Sequence, residues 1–279
     1  MSLEQALAQL APQQVATPMG RVHYRSAGPS RRVSHVLLHG IGSGSGSWVR
    51  QLQAAQGLDD CRVLAWDAPG YESSEPVAAD WPQASDYADR LWSWLDALEV
   101  TQAVTLVGHS LGALMAASAA ASQTSRVTQL ILLAPARGYG AAAEAERTKK
   151  LQDRLATLNT LGPAGMAKAR SAAMLSPQAA PELVAAVRAN MARVLPAGYT
   201  QAARLLAHGD LLADLARVTC PVQIASGSAD SITPPAACQA VAAQHGVAWQ
   251  DLGPVGHACM LEAALAVNAL LGLAASVKP

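Results

Sequence analysis

The chain has 279 residues, 51% hydrophobic and 14% charged, which supplies a large core and excludes a disordered polypeptide. Its 20 basic and 20 acidic residues cancel, leaving no charge excess to recruit nucleic acid or an anionic membrane surface. No apolar run reaches the roughly 18 residues of a membrane span, the opening MSLEQALAQL lacks the basic start and apolar core of a secretory leader, and Cys61, Cys220, Cys238 and Cys259 have neither CxxC nor zinc-type spacing. The expectation is a cytoplasmic protein that acts on a small molecule, without metal, cofactor, nucleic-acid or membrane partner.

Residues 2–10 place Leu3, Leu7 and Leu10 on one face of a short helix, which packs on the body of the protein or on a second subunit. Residues 21–26 (RVHYRS) alternate as a strand. Apolar runs follow at 35–38 (HVLL), 62–66 (RVLAW), 104–107 (VTLV), 130–133 (LILL) and 222–225 (VQIA). Each is four or five residues long and closed by glycine or proline, the pattern of strands buried on both faces. Helical segments at 84–98, 111–122 and 235–245 lie between them, and a strand expected at 248–252 precedes a last helix at 261–271. Alternating strands and helices predict an α/β protein with a mostly parallel, doubly wound sheet. Ligands of such sheets bind beyond the carboxyl ends of the strands.

The stretch from Tyr139 to Leu212 breaks the alternation. It holds helical patterns only, at 144–158, 164–175, 181–194 and 199–208, punctuated by Pro163, Pro177, Pro181 and Pro196. It reads as a helical cap at 139–212, inserted between core segments 1–138 and 213–279. Either a monomer or a homodimer is compatible with the pattern.

Gly108-His109-Ser110-Leu111-Gly112 follows a predicted strand and opens a predicted helix, the setting of a G-x-S-x-G nucleophile elbow. A serine hydroxyl is a weak nucleophile at neutral pH and needs a base that an acid orients. Downstream, in the order Ser, Asp, His, stand Asp230, just past the 222–225 strand, and His257, in a Gly-His pair before the last helix. They are the expected acid and base. An oxyanion hole needs two backbone N–H groups. Leu111, after the nucleophile, supplies one. The glycine-rich loop HGIGSGSGSW at 39–48 supplies the other, from Ile41 or, as second choice, Gly42.

His39-Gly40, Asp67-Ala68-Pro69-Gly70-Tyr71, the GHSLG elbow, Asp230 and His257 together resemble the α/β-hydrolase superfamily over nearly the whole chain. Within it, HGIGSGSGSW resembles the loop of the meta-cleavage product hydrolases, which split a C–C bond, and is similar to loops of small esterases and enol-lactonases. Those C–C hydrolases carry asparagine before the nucleophile and usually tryptophan after the histidine; here the residues are His109 and Ala258. The resemblance implies a catabolic hydrolase of a small acid.

Between Ala141 and Asp210 nine basic residues face five acidic ones in a chain that is neutral overall, which suits an anionic substrate. Arg188 is the first choice for meeting its carboxylate; Trp48, Tyr71 and His109 are further candidates to line the substrate site. Met166, Met174 and Met191, also in this stretch, have the helical spacing of ordinary core packing. The leading expectation is cleavage of an ester, thioester or enol-lactone through an acyl-enzyme. Hydrolytic C–C cleavage, acyl transfer to another acceptor, and a non-catalytic ligand-binding role remain as alternatives.

Overall fold

The computed structural model of the chain describes residues 2–274. Its first helix, α1 (Leu3–Gln9), starts from a capping box in which Ser2 Oγ accepts from the Gln5 N–H at 3.2 Å and Gln5 Oε1 from the Ser2 N–H at 2.9 Å. Eight strands then form one sheet: β1 (Gln13–Val15), β2 (Val22–Ala27), β3 (His35–Leu38), β4 (Val63–Trp66), β5 (Val104–His109), β6 (Val127–Leu133), β7 (Val222–Ser226) and β8 (Trp249–Asp251). Their order is β1-β2-β4-β3-β5-β6-β7-β8. β1 with β2 and β2 with β4 pair antiparallel; all remaining pairs are parallel.

Successive side chains of the central strands enter two separate cores, as the two-residue period of a strand requires. Val36, Leu38, Leu64, Trp66, Leu106, Leu130 and Leu132 face one core; Leu37, Val63, Ala65, Val107, Ile131 and Leu133 face the other. The first face is covered by α3 (Ala84–Ala97), α4 (Gly112–Ser122) and α9 (Pro235–His245). On the second lie α1, α2 (Val49–Gln56), α10 (Cys259–Glu262) and α11 (Ala264–Leu270). α4 is rich in alanine, and every residue from Gly112 to Ala120 is buried. A helix enclosed on all sides must be apolar all round, and small side chains let the sheet and neighbouring helices approach it.

Between β6 and β7 the chain is helical, as the proline-punctuated pattern predicts: α5 (Glu144–Arg170), α6 (Pro181–Ala192), α7 (Pro196–His208) and α8 (Leu211–Leu215). Pro181 and Pro196 occupy first turns, where the missing N–H has no cost. The two helices expected at 144–158 and 164–175 differ in detail. They run as α5 through Arg170 with a break at Gly162, whose φ is 62°, followed by Pro163. The last helix is likewise split, at Ala263, into α10 and α11.

Candidate active site

The sheet reverses its winding between β3 and β5. From β3 the chain moves outward to β4, then crosses back to β5 on the other side of β3. The helix after β3 lies on one face and the helix after β5 on the other. The two loops therefore diverge and leave a crevice at the carboxyl ends of these strands.

Ser110 sits in that crevice, on the turn from β5 to α4, with a φ of 53°. Such backbone costs a non-glycine residue about 1–3 kcal/mol. The turn is held by the Ser110 N–H donating to the Leu133 carbonyl at 3.0 Å, while the N–H groups of Ala113 and Ala136 donate to the Ser110 carbonyl at 3.0 and 3.1 Å. A Cβ at Gly108 would strike the Gly112 carbonyl, and one at Gly112 the Leu38 carbonyl. The elbow's two glycines are thus places where backbone meets backbone.

His257 follows β8, and its Nδ1 lies 2.8 Å from Asp230 Oδ2. Asp230, just beyond β7, is 3% exposed. Its Oδ1 accepts from the N–H groups of Ile232 and Thr233 at 2.7 and 3.0 Å. Burial alone would raise this carboxyl, but His257 and those two N–H groups hold it below the ordinary carboxylate value. Thr233 Oγ1 completes the group, 2.8 Å from Asp230 Oδ2 and 3.2 Å from His257 Nδ1. Nothing in the sequence singled out Thr233 except its place three residues after Asp230.

Ser110 and His257 line one cavity of about 470 Å³, together with Gly40, Ile41 and Gly42. Among the described residues no hydrogen bond joins the Ser110 hydroxyl to His257. Nor does any protein acceptor take the N–H of Ile41, Gly42 or Leu111. The Leu111 side chain points into the core.

His109 also lines the cavity. Its Nε2–H donates to the His257 carbonyl at 2.9 Å, so Nδ1 is the bare nitrogen, and among the described residues it has no partner. Burial, helped by the neighbouring His257, pushes the His109 imidazole down to about 3.

Three expected substrate contacts lie elsewhere. Trp48 and Tyr71 are buried in the two cores behind the cavity wall, Trp48 edge-on to His109 with ring centroids 6.4 Å apart. Arg188 is exposed on α6 beside Ser171. The cavity takes Val187, Asn190 and Met191 from that helix, and a turn of 3.6 residues carries Arg188 off their face.

The basic residues that do line the cavity are Arg137, in the loop after β6, and Arg154 and Arg170, on α5. Among the described residues none has a carboxylate partner within 4.0 Å. Arg154 and Arg170 belong to the basic excess visible in sequence. Arg137 was missed, although its place at the carboxyl end of a strand was a signal. Met166, Met174 and Met191, expected in packing, are cavity wall as well, with Val187, Ile232 and Leu261.

Among the described residues no three His, Cys, Asp or Glu side chains cluster to hold a metal ion. No helix there is long and apolar enough to cross a membrane.

Residues 36–270 match the alpha/beta hydrolase family. A 2-hydroxy-6-oxo-6-phenylhexa-2,4-dienoate hydrolase of Comamonas testosteroni is 33% identical over 122 residues, 43% of this chain and 41% of that protein. A 2-hydroxy-6-oxononadienedioate/2-hydroxy-6-oxononatrienedioate hydrolase of Paraburkholderia xenovorans is 31% identical over 115 residues, 40% of this chain and 39% of that one. The matched stretch thus spans about two fifths of these curated relatives. In three dimensions the chain is similar to a thermophilic esterase from Thermogutta terrifontis (TM-score 0.80, 21% identity, 94% of this chain and 97% of that one). It is also similar to the enol-lactonase from Burkholderia xenovorans LB400 (TM-score 0.78, 20% identity, 94% and 99%). These likenesses carry the α/β-hydrolase fold, and the family match over residues 36–270 places the chain in the alpha/beta hydrolase family.

Proposed function

We propose that this protein is a serine hydrolase that cleaves a small, carboxylate-bearing ester, thioester or enol-lactone through an acyl-enzyme. The carrying observation is the buried Asp230–His257 pair, 2.8 Å apart, opening into the cavity whose wall also holds Ser110. Ser110 Oγ attacks the acyl carbon while His257 Nε2 takes its proton; Asp230 holds the imidazole in that tautomer and stabilises the imidazolium. The N–H groups of Leu111 and Ile41, with Gly42 as second choice, receive the oxyanion. The imidazolium then protonates the leaving group. Water, activated by the same histidine, attacks the acyl carbon and frees Ser110.

The anionic part of the substrate is supported by Arg137, Arg154 and Arg170, and its hydrophobic part by the methionine-rich wall. In this reading residues 139–212 act as a cap that encloses substrate and limits water. The names of the curated relatives favour a second reading, hydrolytic cleavage of a C–C bond in a dienoate ketone, by the same residues.

A fluorophosphonate probe tests the proposal. Rapid labelling confined to Ser110 and lost in Ser110→Ala is the expected result; folded wild-type protein that stays unlabelled would overturn the serine mechanism in favour of a ligand-binding role. Esters paired by charge test the substrate class. Arg154→Gln and Arg170→Gln should raise KM for the anionic ester about tenfold or more, as loss of a charge-assisted hydrogen bond implies, with little change for the neutral one. Equal effects on both would remove the carboxylate from the proposal. A dienol ketone in the same panel decides between ester and C–C cleavage.

A further inference from the structure

The loop that offers Ile41 and Gly42 has glycine at 40, 42, 44 and 46, a composition with little stiffness of its own. An oxyanion hole works because its donors are fixed before charge develops. Within the loop the Ser43 N–H donates to the Gly40 carbonyl at 3.2 Å and the Ser47 N–H to the Gly44 carbonyl at 3.0 Å; from outside, one short segment holds it at three further points.

The Tyr71 hydroxyl donates to the Ile41 carbonyl at 2.6 Å. The Ala68 N–H donates to His39 Nε2 at 3.0 Å. That contact leaves the His39 proton on Nδ1, which donates to the Gly40 carbonyl at 2.8 Å. Asp67 accepts from the N–H and the hydroxyl of Ser45 at 2.7 and 2.8 Å, and meets His23 Nδ1 at 2.6 Å.

No cis peptide bond occurs among the described residues, and across a trans peptide a carbonyl and the next N–H point to opposite sides. Drawing the Ile41 carbonyl back onto Tyr71 turns the Gly42 N–H away from Tyr71. The Gly40 carbonyl, held by His39 Nδ1 and the Ser43 N–H, likewise turns the Ile41 N–H away from those two groups. Ile41 and Gly42 both line the cavity, and neither N–H has a protein acceptor among the described residues.

We propose that the segment 67–71 is a clamp that orients the oxyanion loop: Tyr71, through the Ile41 carbonyl, positions the Gly42 N–H, and Ala68, through His39 and the Gly40 carbonyl, positions the Ile41 N–H. The proposal rests on the serine-hydrolase reading and gives a role to the Asp-Ala-Pro-Gly-Tyr motif, which the catalytic chemistry otherwise leaves unused. The protonation states agree with it. Burial pushes the Tyr71 phenol well up, so it keeps its proton as donor; burial pushes the His39 imidazole down, so it stays neutral with one nitrogen free to accept.

Tyr71→Phe removes one hydroxyl and keeps the ring. Tyr87→Phe is the control: Tyr87 is equally enclosed, on α3, and among the described residues its hydroxyl has no partner. Tyr71→Phe should lower kcat and the fluorophosphonate labelling rate constant about tenfold, with KM held within about twofold, as weakening of a transition-state contact requires. Hydrogen exchange in the 39–46 peptide should quicken, while Tyr87→Phe changes neither rate nor exchange. Ser45→Ala, which keeps the N–H contact with Asp67 and loses the hydroxyl contact, should shift rate and exchange in the same direction by less. The exchange measurement reads the clamp even if wild-type protein fails to label, which would overturn the serine mechanism alone. Unchanged exchange in Tyr71→Phe, unchanged kcat in a wild type that labels, or an equal loss in Tyr87→Phe would overturn the clamp.

Discussion

Asp230 shows what a side chain's surroundings contribute beyond its position. One oxygen is occupied by two backbone N–H groups, and the other accepts from the Thr233 hydroxyl and faces His257 Nδ1. Asp230→Asn keeps the shape but offers His257 a donor as readily as an acceptor, so the imidazole is no longer held with its base nitrogen facing Ser110. In the proposed mechanism kcat should fall by about 10³–10⁴ with little change in KM, as loss of the orienting acid does in serine triads generally. A fall of less than about tenfold would mean that Asp230 is not the orienting acid. The placements of Ser110, Asp230 and His257 were legible because each stands where a strand gives way to a loop, and the sheet gathers such loops at one edge. Trp48 and Tyr71 lie in the same loops yet face the core. Sequence reports that a residue is near the site; the direction of its side chain depends on local turns that no periodicity encodes. Arg188 lies off the cavity wall for a different reason. The basic excess was real, but choosing among its members required the phase of α6 relative to the cavity.

At the scale of elements, strong apolar runs gave up their strands within a few residues: β3 matches its expected bounds, and β5 and β6 only extend further; among the helices α9 matches as well. β1 and α2 were invisible. β1 is a three-residue edge strand, Gln-Gln-Val, whose polar residues carry no alternation. α2 emerges from the glycine-serine loop and spans only eight residues, with Val49, Leu52 and Ala55 as its inward stripe. How the helices between β6 and β7 dock was also hidden, because it depends on backbone contact. A Cβ at Gly70 would lie 2.5 Å from Gly198 Cα, and one at Gly198 would strike the Gly70 carbonyl. These two glycines let the start of α7 rest on the segment that carries Tyr71. Gly198→Ala should therefore destabilise the protein by about 1–3 kcal/mol, the usual range for forcing volume into a packed contact. Urea unfolding would read that loss. An unchanged midpoint would show that α7 can lift away from Gly70 freely.

For the molecule as a whole, the buried imidazoles set a dependence of stability on pH. His109 is held near 3 by burial, whereas in an unfolded chain it titrates near ~6.5. Between those values the unfolded chain binds a proton that the native state refuses, so stability is complete above about pH 6.5 and is lost as pH falls toward 3. At pH 5 the loss from this one residue is on the order of 2 kcal/mol. His39, also shifted down by burial, acts in the same direction. Asp67 and Asp230 extend the effect to lower pH. Burial would raise both carboxyls, but their histidine and N–H partners hold them below the ordinary value, so their stabilisation is present above about pH 4 and lost as pH falls through their native values. His109→Asn removes the titrating ring while an amide N–H remains to face the His257 carbonyl. Compared by urea unfolding at pH 7.5 and 5.0, wild type should lose on the order of 2 kcal/mol more than this variant. Equal losses would mean that the ring takes up a proton without unfolding, which requires water or a carboxylate to reach Nδ1. The cavity beside Ser110 would then be wetter than the packing of His109 against Gly40 implies.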